Sequence, residues 1–407
     1  MKNALRKISV LGCLTFVMMT GLATQGHTAG VTVYKDGDKY VKVGGRIQLQ
    51  YHYEDPDEGD STDEVFFRRL RPYLEGSIHK DWKGKFQFDY GKAEDDNEVS
   101  IKDAYMQYKG IDNVKITLGN ANFPFSRELL TSSKKQQLVE RTFVGDHNYG
   151  TPDRNAGLHM TGGLMDNQIT FGVSAASSDI DPDAKKLDFD TPVNRNDDFN
   201  QGWMFGGRVD WHPMGYLKME QGDFKRDEIK ATLGVAAFAW DNDDDNNTNP
   251  SKDGNAIADS GDFILDDDGD FIRVKKPDVD SVTGFEVSGA FRGYGVSVDA
   301  EYNLFDAETI DSTYNGGLYE DGETELENFA IEGGYMVIPS KLEIVACYQV
   351  QDADNYDEEW ERTSFGLNYF FKKHDIKLQA TYRMGENKDG VKDNDLDELF
   401  VQAQYVF

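Results

Sequence analysis

Cysteine is almost missing from this chain: of 407 residues only Cys13 and Cys347 carry a thiol. Cys13 sits in a leader-like N-terminus, so once the leader is removed no intrachain disulfide can form. An exported chain without disulfides suits a bacterial envelope better than a small stapled secreted domain. Positive charge is scarce as well. Lys and Arg number 43 against 74 Asp and Glu, for a formal net charge of −31, and this opposes nucleic-acid binding.

Long apolar runs are missing too. The run Ile8 to Leu22 is too short to cross a bilayer as a helix. It follows Lys2, Arg6 and Lys7 and precedes small residues, so residues 1–29 read as a secretory signal peptide. His27-Thr28-Ala29 is a plausible cleavage site, with Gly21-Leu22-Ala23 as the alternative. Val10-Leu11-Gly12-Cys13 is only superficially a lipoprotein box, because the apolar segment continues past Cys13. Catalytic signatures are likewise lacking. There is no GxSxG, HExxH or phosphate-cradling glycine loop, and the seven His are scattered. His159 reads as a wall residue rather than a base. No CxxCH occurs, which excludes c-type haem of the usual kind. No enzymatic activity and no cofactor are expected.

What is present is alternation. From Val41 to Tyr53 the odd positions are Val, Val, Gly, Ile, Leu, Tyr and Tyr, and the even ones Lys, Gly, Arg, Gln, Gln and His. Period-two patterning over that length means one apolar and one wet face, and such a strand can cross a bilayer tilted. Similar stretches predict strands near 64–78, 85–91, 99–109, 113–120, 154–163, 167–178, 202–212 and 228–240, then 281–292, 294–305, 325–338, 341–351, 361–372, 374–384 and 396–407. With the first they make sixteen. Tight connections take turns with long ones (54–63, 92–98, 121–153, 179–201, 241–280, 306–324, 352–360, 385–395), with 213–227 the longer exception on the short side.

Even parity and sorted loops predict an all-β fold: a sixteen-stranded antiparallel transmembrane β-barrel, residues 30–407 forming one domain. The ending Leu399, Val401, Ala403, Tyr405, Phe407 and the girdle candidates Tyr348, Tyr369, Tyr382 and Tyr405 fit its lipid face. A mean hydropathy of −0.64 and 40 glycines fit strands that spend half their residues on water. The longest early interruption, 121–153, carries Pro124 and a helix-compatible patch, and is expected to fold into the lumen and set its width.

Phe67-Arg68-Arg69-Leu70-Arg71-Pro72-Tyr73-Leu74-Glu75-Gly76 is followed by Ile101-Lys102-Asp103-Ala104-Tyr105 and Leu118-Gly119. Then come Phe123-Pro124-Phe125-Ser126, Leu130-Thr131-Ser132-Ser133, Glu140-Arg141, Gly366-Leu367-Asn368-Tyr369 and Val401-Gln402. Together these segments resemble the phosphate-selective porin O/P family across the mature chain. The resemblance implies an outer-membrane porin, usually a trimer, with its third outer loop folded inward and Arg and Lys lining an anion path.

Alternation assigns faces. The wet-face bases are Arg46, Arg69, Arg71, Lys85, Lys115, Arg208, Lys230, Lys377 and Arg383. The wet-face acids are Glu75, Asp89, Asp103, Asp210, Glu286, Asp299, Glu301, Glu332 and Glu343. The inward loop adds Arg127, Lys134, Lys135 and Arg141 against Glu128 and Glu140. Arg46, Arg69, Arg71, Lys85 and Lys115 come early in the chain and Glu286 to Glu343 late, an arrangement that would place a transverse field across a narrow pore. Arg69, Arg71, Lys134 and Lys135 either coordinate anions at a constriction or simply pair with wall carboxylates and solvent.

Residues 241–280 hold thirteen Asp, so much of the negative charge belongs to an outer loop. Asp266-Asp267-Asp268-Gly269-Asp270 and Asp393, Asp395, Asp397 offer oxygen ligands but complete no calcium loop, and no metal site is expected there. The expected function is passive diffusion of small hydrophilic solutes and ions, anions such as phosphate among them, in contact with outer-membrane lipid and lipopolysaccharide. The alternative is a plugged structural barrel with cation- or lipopolysaccharide-binding acidic loops.

Overall fold

A computed structural model describes residues 30–91, 99–181, 183–190, 201–226, 228–242 and 277–407. Residues 1–29, expected to be a signal peptide, the connection 92–98 and most of the acidic connection, residues 243–276 with Asp266 to Asp270, lie outside it.

The strands are β1 (Val31–Asp36), β2 (Lys39–Pro56), β3 (Thr62–His79), β4 (Trp82–Asp89), β5 (Ser100–Ile111), β6 (Val114–Asn122), β7 (Arg154–Leu164), β8 (Ile169–Asp181) and β9 (Asp188–Asp190). Then follow β10 (Gln201–Trp211), β11 (Lys230–Asn242), β12 (Val279–Gly293), β13 (Val296–Thr309), β14 (Glu323–Ile338), β15 (Leu342–Asp352), β16 (Trp360–Lys372), β17 (Ile376–Glu386) and β18 (Leu396–Val406). β2 to β8 and β10 to β18 each pair antiparallel with the next, and β18 returns to β2, so sixteen strands close a barrel. β1 adds a short hairpin to β2, and β9 folds back on β8. All sixteen expected strands are present, with ends displaced by a few residues.

Period-two patterning explains the two faces. Along β11, Thr232, Ala236, Phe238 and Trp240 are buried while Leu233 and Val235 are exposed. The exposed set forms an apolar belt, with Phe205, Phe285, Ile344, Leu367, Tyr348, Tyr369, Tyr382 and Tyr405 among its members. Water would not tolerate such a surface, and hydrocarbon would. Inside, Gln and Asn form cross-strand pairs: Gln48 with Gln404 (2.7 Å), Gln402 with Gln50 (2.8 Å) and Gln351 with Asn328 (2.8 Å). Tight turns require special backbone: at Tyr294-Gly295 both residues have positive φ (57° and 87°), as a two-residue hairpin demands.

Two irregularities alter the expected faces. Opposite Gln48 and Leu49 the register jumps from Arg69 to Phe67, so Arg68 is a bulged residue and points inward. Opposite Gln87 and Phe88 it jumps from Asp103 to Ile101, which leaves Lys102 unopposed.

The wet face is also less polar than alternation suggests. Met204, Phe238, Trp240, Val282, Phe305 and Leu326 are buried in one cluster with Phe123, Phe125 and Phe189. These rings meet mostly edge-to-face, Phe125 lying 5.0 Å from Phe238. Near the long-loop end, one side of the barrel is therefore an apolar core under the connections.

Candidate pore lining and constriction

The segment after β6 is shaped locally by three residues. Pro124 cannot donate to a ladder, which ends the strand. Ser126 then caps the one-turn helix α1 (Arg127–Leu130), its Oγ accepting from Leu129 N at 3.0 Å. Beyond α1 the chain has no regular partner and its polar groups bond to wall side chains instead.

Those bonds reach both sides of the barrel. Toward the late strands, Arg127 Nε lies 3.3 Å from Asp299 Oδ1 on β13, and Glu128 N donates to Glu301 Oε2 at 2.9 Å. Gln137 Nε2 donates to Glu343 Oε1 (2.7 Å), and Asn303 Nδ2 to Val144 O (2.9 Å). Toward the early strands, Arg46 Nη1 donates to Ser133 Oγ at 2.8 Å and Arg68 to Glu140 at 2.7 and 3.1 Å. Gln404 of β18 donates to Lys134 O at 2.9 Å.

The longer connection 213–227 comes up to meet this segment. Lys135 Nζ is 2.9 Å from Glu220 Oε2, and Gln137 N donates to Gln221 Oε1 at 2.7 Å. His374 shares a 2.9 Å hydrogen bond with Gln221 O. Its unusual length thus has a local purpose: it supplies partners to groups that 121–153 leaves open.

The acids collect beneath the segment. Asp299 faces Arg127 and, at 2.6 Å, Arg292, while Glu286 lies 2.8 Å from Arg208. Glu301, Glu332 and Glu343 are buried at 6%, 4% and 0% exposure. A small cavity between wall and segment is lined by Arg127, Glu128, Asp299, Glu301 and Glu332. Burial there pushes the Glu128 carboxyl up to about 7, although Thr142 N and Oγ1 both donate to it.

The bases lie across from them. Arg46 has Arg69, Arg71 and Arg154 as electrostatic neighbours. Arg71 Nε meets Asp89 at 2.5 Å, and Lys85 meets Asp103 at 2.5 Å. Arg69 reaches Gln48 Oε1 at 3.4 Å and Glu140 at 4.0 Å, and Arg141 donates to the carbonyls of Leu129 and Thr131 at 3.0 and 3.3 Å. Arg154 bridges Asp103 (2.8 Å) and Asp153 (2.7 Å). Lys115 is exposed at the short-turn end of β6, away from this cluster.

Lys134 differs from the rest. Among the described residues no carboxylate lies within 4 Å of it, and it is half-buried. Burial, with Arg46, Lys135 and Lys85 nearby, lowers it to about 8. Glu140 shows the opposite balance: burial pushes it up, but Arg68, Arg69 and a hydrogen bond from Gln50 hold it down at about 2.

Sequence reading missed three luminal cations. Arg68 and Lys102 sit where uninterrupted alternation would turn them outward, and only a bulge brings them in. Lys102 has Asp153, Arg71 and Arg154 as neighbours. Arg154 opens β7 at the loop boundary, where face assignment by alternation has too few residues to work with.

The phosphate-selective porin O and P family model matches residues 41–220, which include the bulged Arg68-Arg69 pair, Lys102 and the whole of 121–153. The chain has the fold of a porin-type barrel. Porin O of Pseudomonas aeruginosa is 29% identical over 157 residues, 35% of this chain and 34% of that one. An uncharacterized protein of Aquifex aeolicus is 24% identical over 403 residues, 90% of this chain and 86% of that one. Among solved structures, the porin barrel is similar to the loop L8 deletion mutant of OmpT, an outer membrane protein of Vibrio cholerae (TM-score 0.57, 13% identity, 90% of this chain and 99% of that one). It is also similar to an anion-selective porin from Comamonas acidovorans (TM-score 0.56, 11% identity, 91% and 100%). These likenesses carry the fold: a sixteen-stranded antiparallel barrel resembling known bacterial outer-membrane porins.

Proposed function

We propose that this porin barrel is a diffusion channel of the bacterial outer membrane for small hydrophilic solutes and ions, with a preference for anions such as phosphate. Segment 121–153 is its inward-folded third outer loop and forms the constriction. The observation that carries the anion preference is a pair of basic-side lysines which, unlike the buried Arg46, Arg69 and Arg71, stay half-covered. Glu286, Glu301, Glu332 and Glu343 are buried beneath the loop, whereas Lys134 and Lys102 stay half-buried without a carboxylate within 4 Å among the described residues. A passing ion therefore meets net positive charge at the narrowest point, where low-dielectric walls strengthen the field. Acidic outer loops oppose this at the mouth, but their influence fades within about 8 Å at physiological salt.

The bulky loop residues support an open path. Phe123 and Phe125 join the wall cluster, and Leu138 packs on Val345 and Cys347, so these side chains anchor the loop instead of filling the centre. Trimeric assembly and contact of the outer loops with lipopolysaccharide belong to the same proposal; the first rests on the family resemblance, the second on the acidity of the outer loops.

The test is the reversal potential of the purified protein in a planar bilayer across a KCl gradient, repeated with phosphate. Conductance steps with an anion-selective potential and block by phosphate are expected. Steps with cation selectivity would overturn the anion preference alone. An absence of steps from folded protein would favour a plugged structural barrel.

A further inference from the structure

Three strands meet at the long-loop end of the barrel seam, where β18 closes on β2. His52 and Glu54 stand two residues apart on β2 and so share a face. Glu398 of β18 is the register partner of Glu54. The His52 Nε2 atom lies 3.1 Å from Glu398 Oε1 and 3.6 Å from Glu54 Oε1. All three ligand atoms fall within 4.8 Å of one another.

We propose that these three side chains form a binding site for a divalent transition-metal ion of the zinc class at the outer mouth. The spacing fits the chemistry. Ligands at the usual Zn–N and Zn–O lengths, about 2.0–2.1 Å, stand ~3.3 Å apart around a tetrahedral ion. The separations of 3.1 and 3.6 Å from His52 Nε2 bracket that value. An imidazole nitrogen beside two carboxylates favours zinc-like ions over calcium or magnesium, which take oxygen alone.

The surroundings are those of a held site. The second oxygen of each carboxylate is engaged elsewhere: Arg383 Nη1 donates to Glu398 Oε2 at 3.4 Å, and Thr62 Oγ1 to Glu54 Oε2 at 3.5 Å. Both Oε1 atoms are thereby directed at the His52 nitrogen, as outer partners direct metal ligands generally. The imidazole is fixed in plane by stacking on Phe400, with centroids 4.3 Å apart and planes at 11°. Two carboxylates directly opposite across a ladder repel, and a cation between them removes that repulsion. The fourth position opens toward Glu64, the exposed register partner of His52 on β3, or toward water.

The test is binding, independent of any conductance. Chelator-treated, detergent-folded protein is titrated with ZnCl₂ by calorimetry in excess MgCl₂, which occupies weak all-carboxylate sites elsewhere on the chain. One zinc per chain is expected, with affinity reduced at least tenfold in His52→Ala and in Glu398→Gln. Heat-modifiable gel mobility confirms that each variant is folded. Cobalt(II) gives a second readout: visible d–d bands of a low-coordinate site in the wild type and their loss in His52→Ala. Equal zinc binding by wild type and His52→Ala, or binding abolished by magnesium, would overturn the site.

Discussion

Arg68 and Glu140, 72 positions apart in sequence, meet through a two-pronged hydrogen bond: Nε to Oε1 at 2.7 Å and Nη2 to Oε2 at 3.1 Å. The fork exists because β3 carries one extra residue opposite Gln48 and Leu49. Without that bulge Arg68 would face lipid, and Glu140 would keep only Arg69 as a charged partner, at 4.0 Å, beside the Gln50 amide.

Glu140→Gln should destabilise the folded barrel. Arg68 is partly solvent-screened, with 31% of its side chain exposed, so the expected cost is about 1–3 kcal/mol. The pH dependence follows from the depressed pKa. The ionised carboxylate contributes in full above the unfolded value near 4.5, and the contribution is lost as pH falls toward about 2. Urea unfolding in detergent, followed by tryptophan fluorescence at pH 7, 4 and 2.5, measures it. A wild-type–variant gap that does not narrow on acidification contradicts the pairing.

Glu128 carries the opposite sign. Its pKa is raised to about 7, so the protonated form is the favoured one in the fold. Between about pH 4.5 and 7 the unfolded chain loses its proton first, and stability falls as pH rises. Glu128→Gln keeps the shape and removes the titration. It should be more stable than the wild type at pH 8 by about 3 kcal/mol and equal to it below pH 4.5. The same unfolding series reads both limits, and a constant difference at every pH would refute the prediction.

Lys134→Glu reverses a luminal charge that has no salt-bridge partner among the described residues. The anion-to-cation permeability ratio should fall by roughly three- to tenfold. In the wild type the ratio should decline as pH rises through about 8, where this ammonium loses its proton. Reversal potentials at pH 6, 8 and 9 test both statements. A variant indistinguishable from wild type would remove Lys134 from the ion path.

Phe125→Ala removes a fully buried ring that packs 5.0 Å from Phe238 and 5.6 Å from Phe305. Loss of roughly 3–5 kcal/mol is expected for a ring of this kind, concentrated on the docked segment. Single-channel records should show added noise and a larger mean conductance while the barrel keeps its heat-modifiable mobility. Unchanged conductance with quiet traces would place the constriction elsewhere.

The strand count and the lipid face were legible because alternation is a property of neighbouring residues. Arg68 and Lys102 were not, since a one-residue bulge inverts a face without changing composition. Phe238 and Trp240 show a second limit of alternation. A position can be inward-facing and apolar when a loop, not water, covers it, and the pattern of β11 alone does not distinguish the two. The long connection 213–227 stood out by length, but its bond between Glu220 and Lys135 links residues 85 apart, beyond any local signal.

Arg46 of β2 and Gln404 of β18 flank the seam where the first and last barrel strands join, and each bonds segment 121–153, at Ser133 and at the Lys134 carbonyl. A chain whose last strand has not yet zipped onto its first can satisfy one of these bonds but not both. It follows that the segment reaches its final seat only at the last step of assembly. The same contacts then act as an internal clasp on the seam, so reopening the barrel must first unseat the segment bonded across it. Completing the wall and seating this segment are, in this chain, a single event.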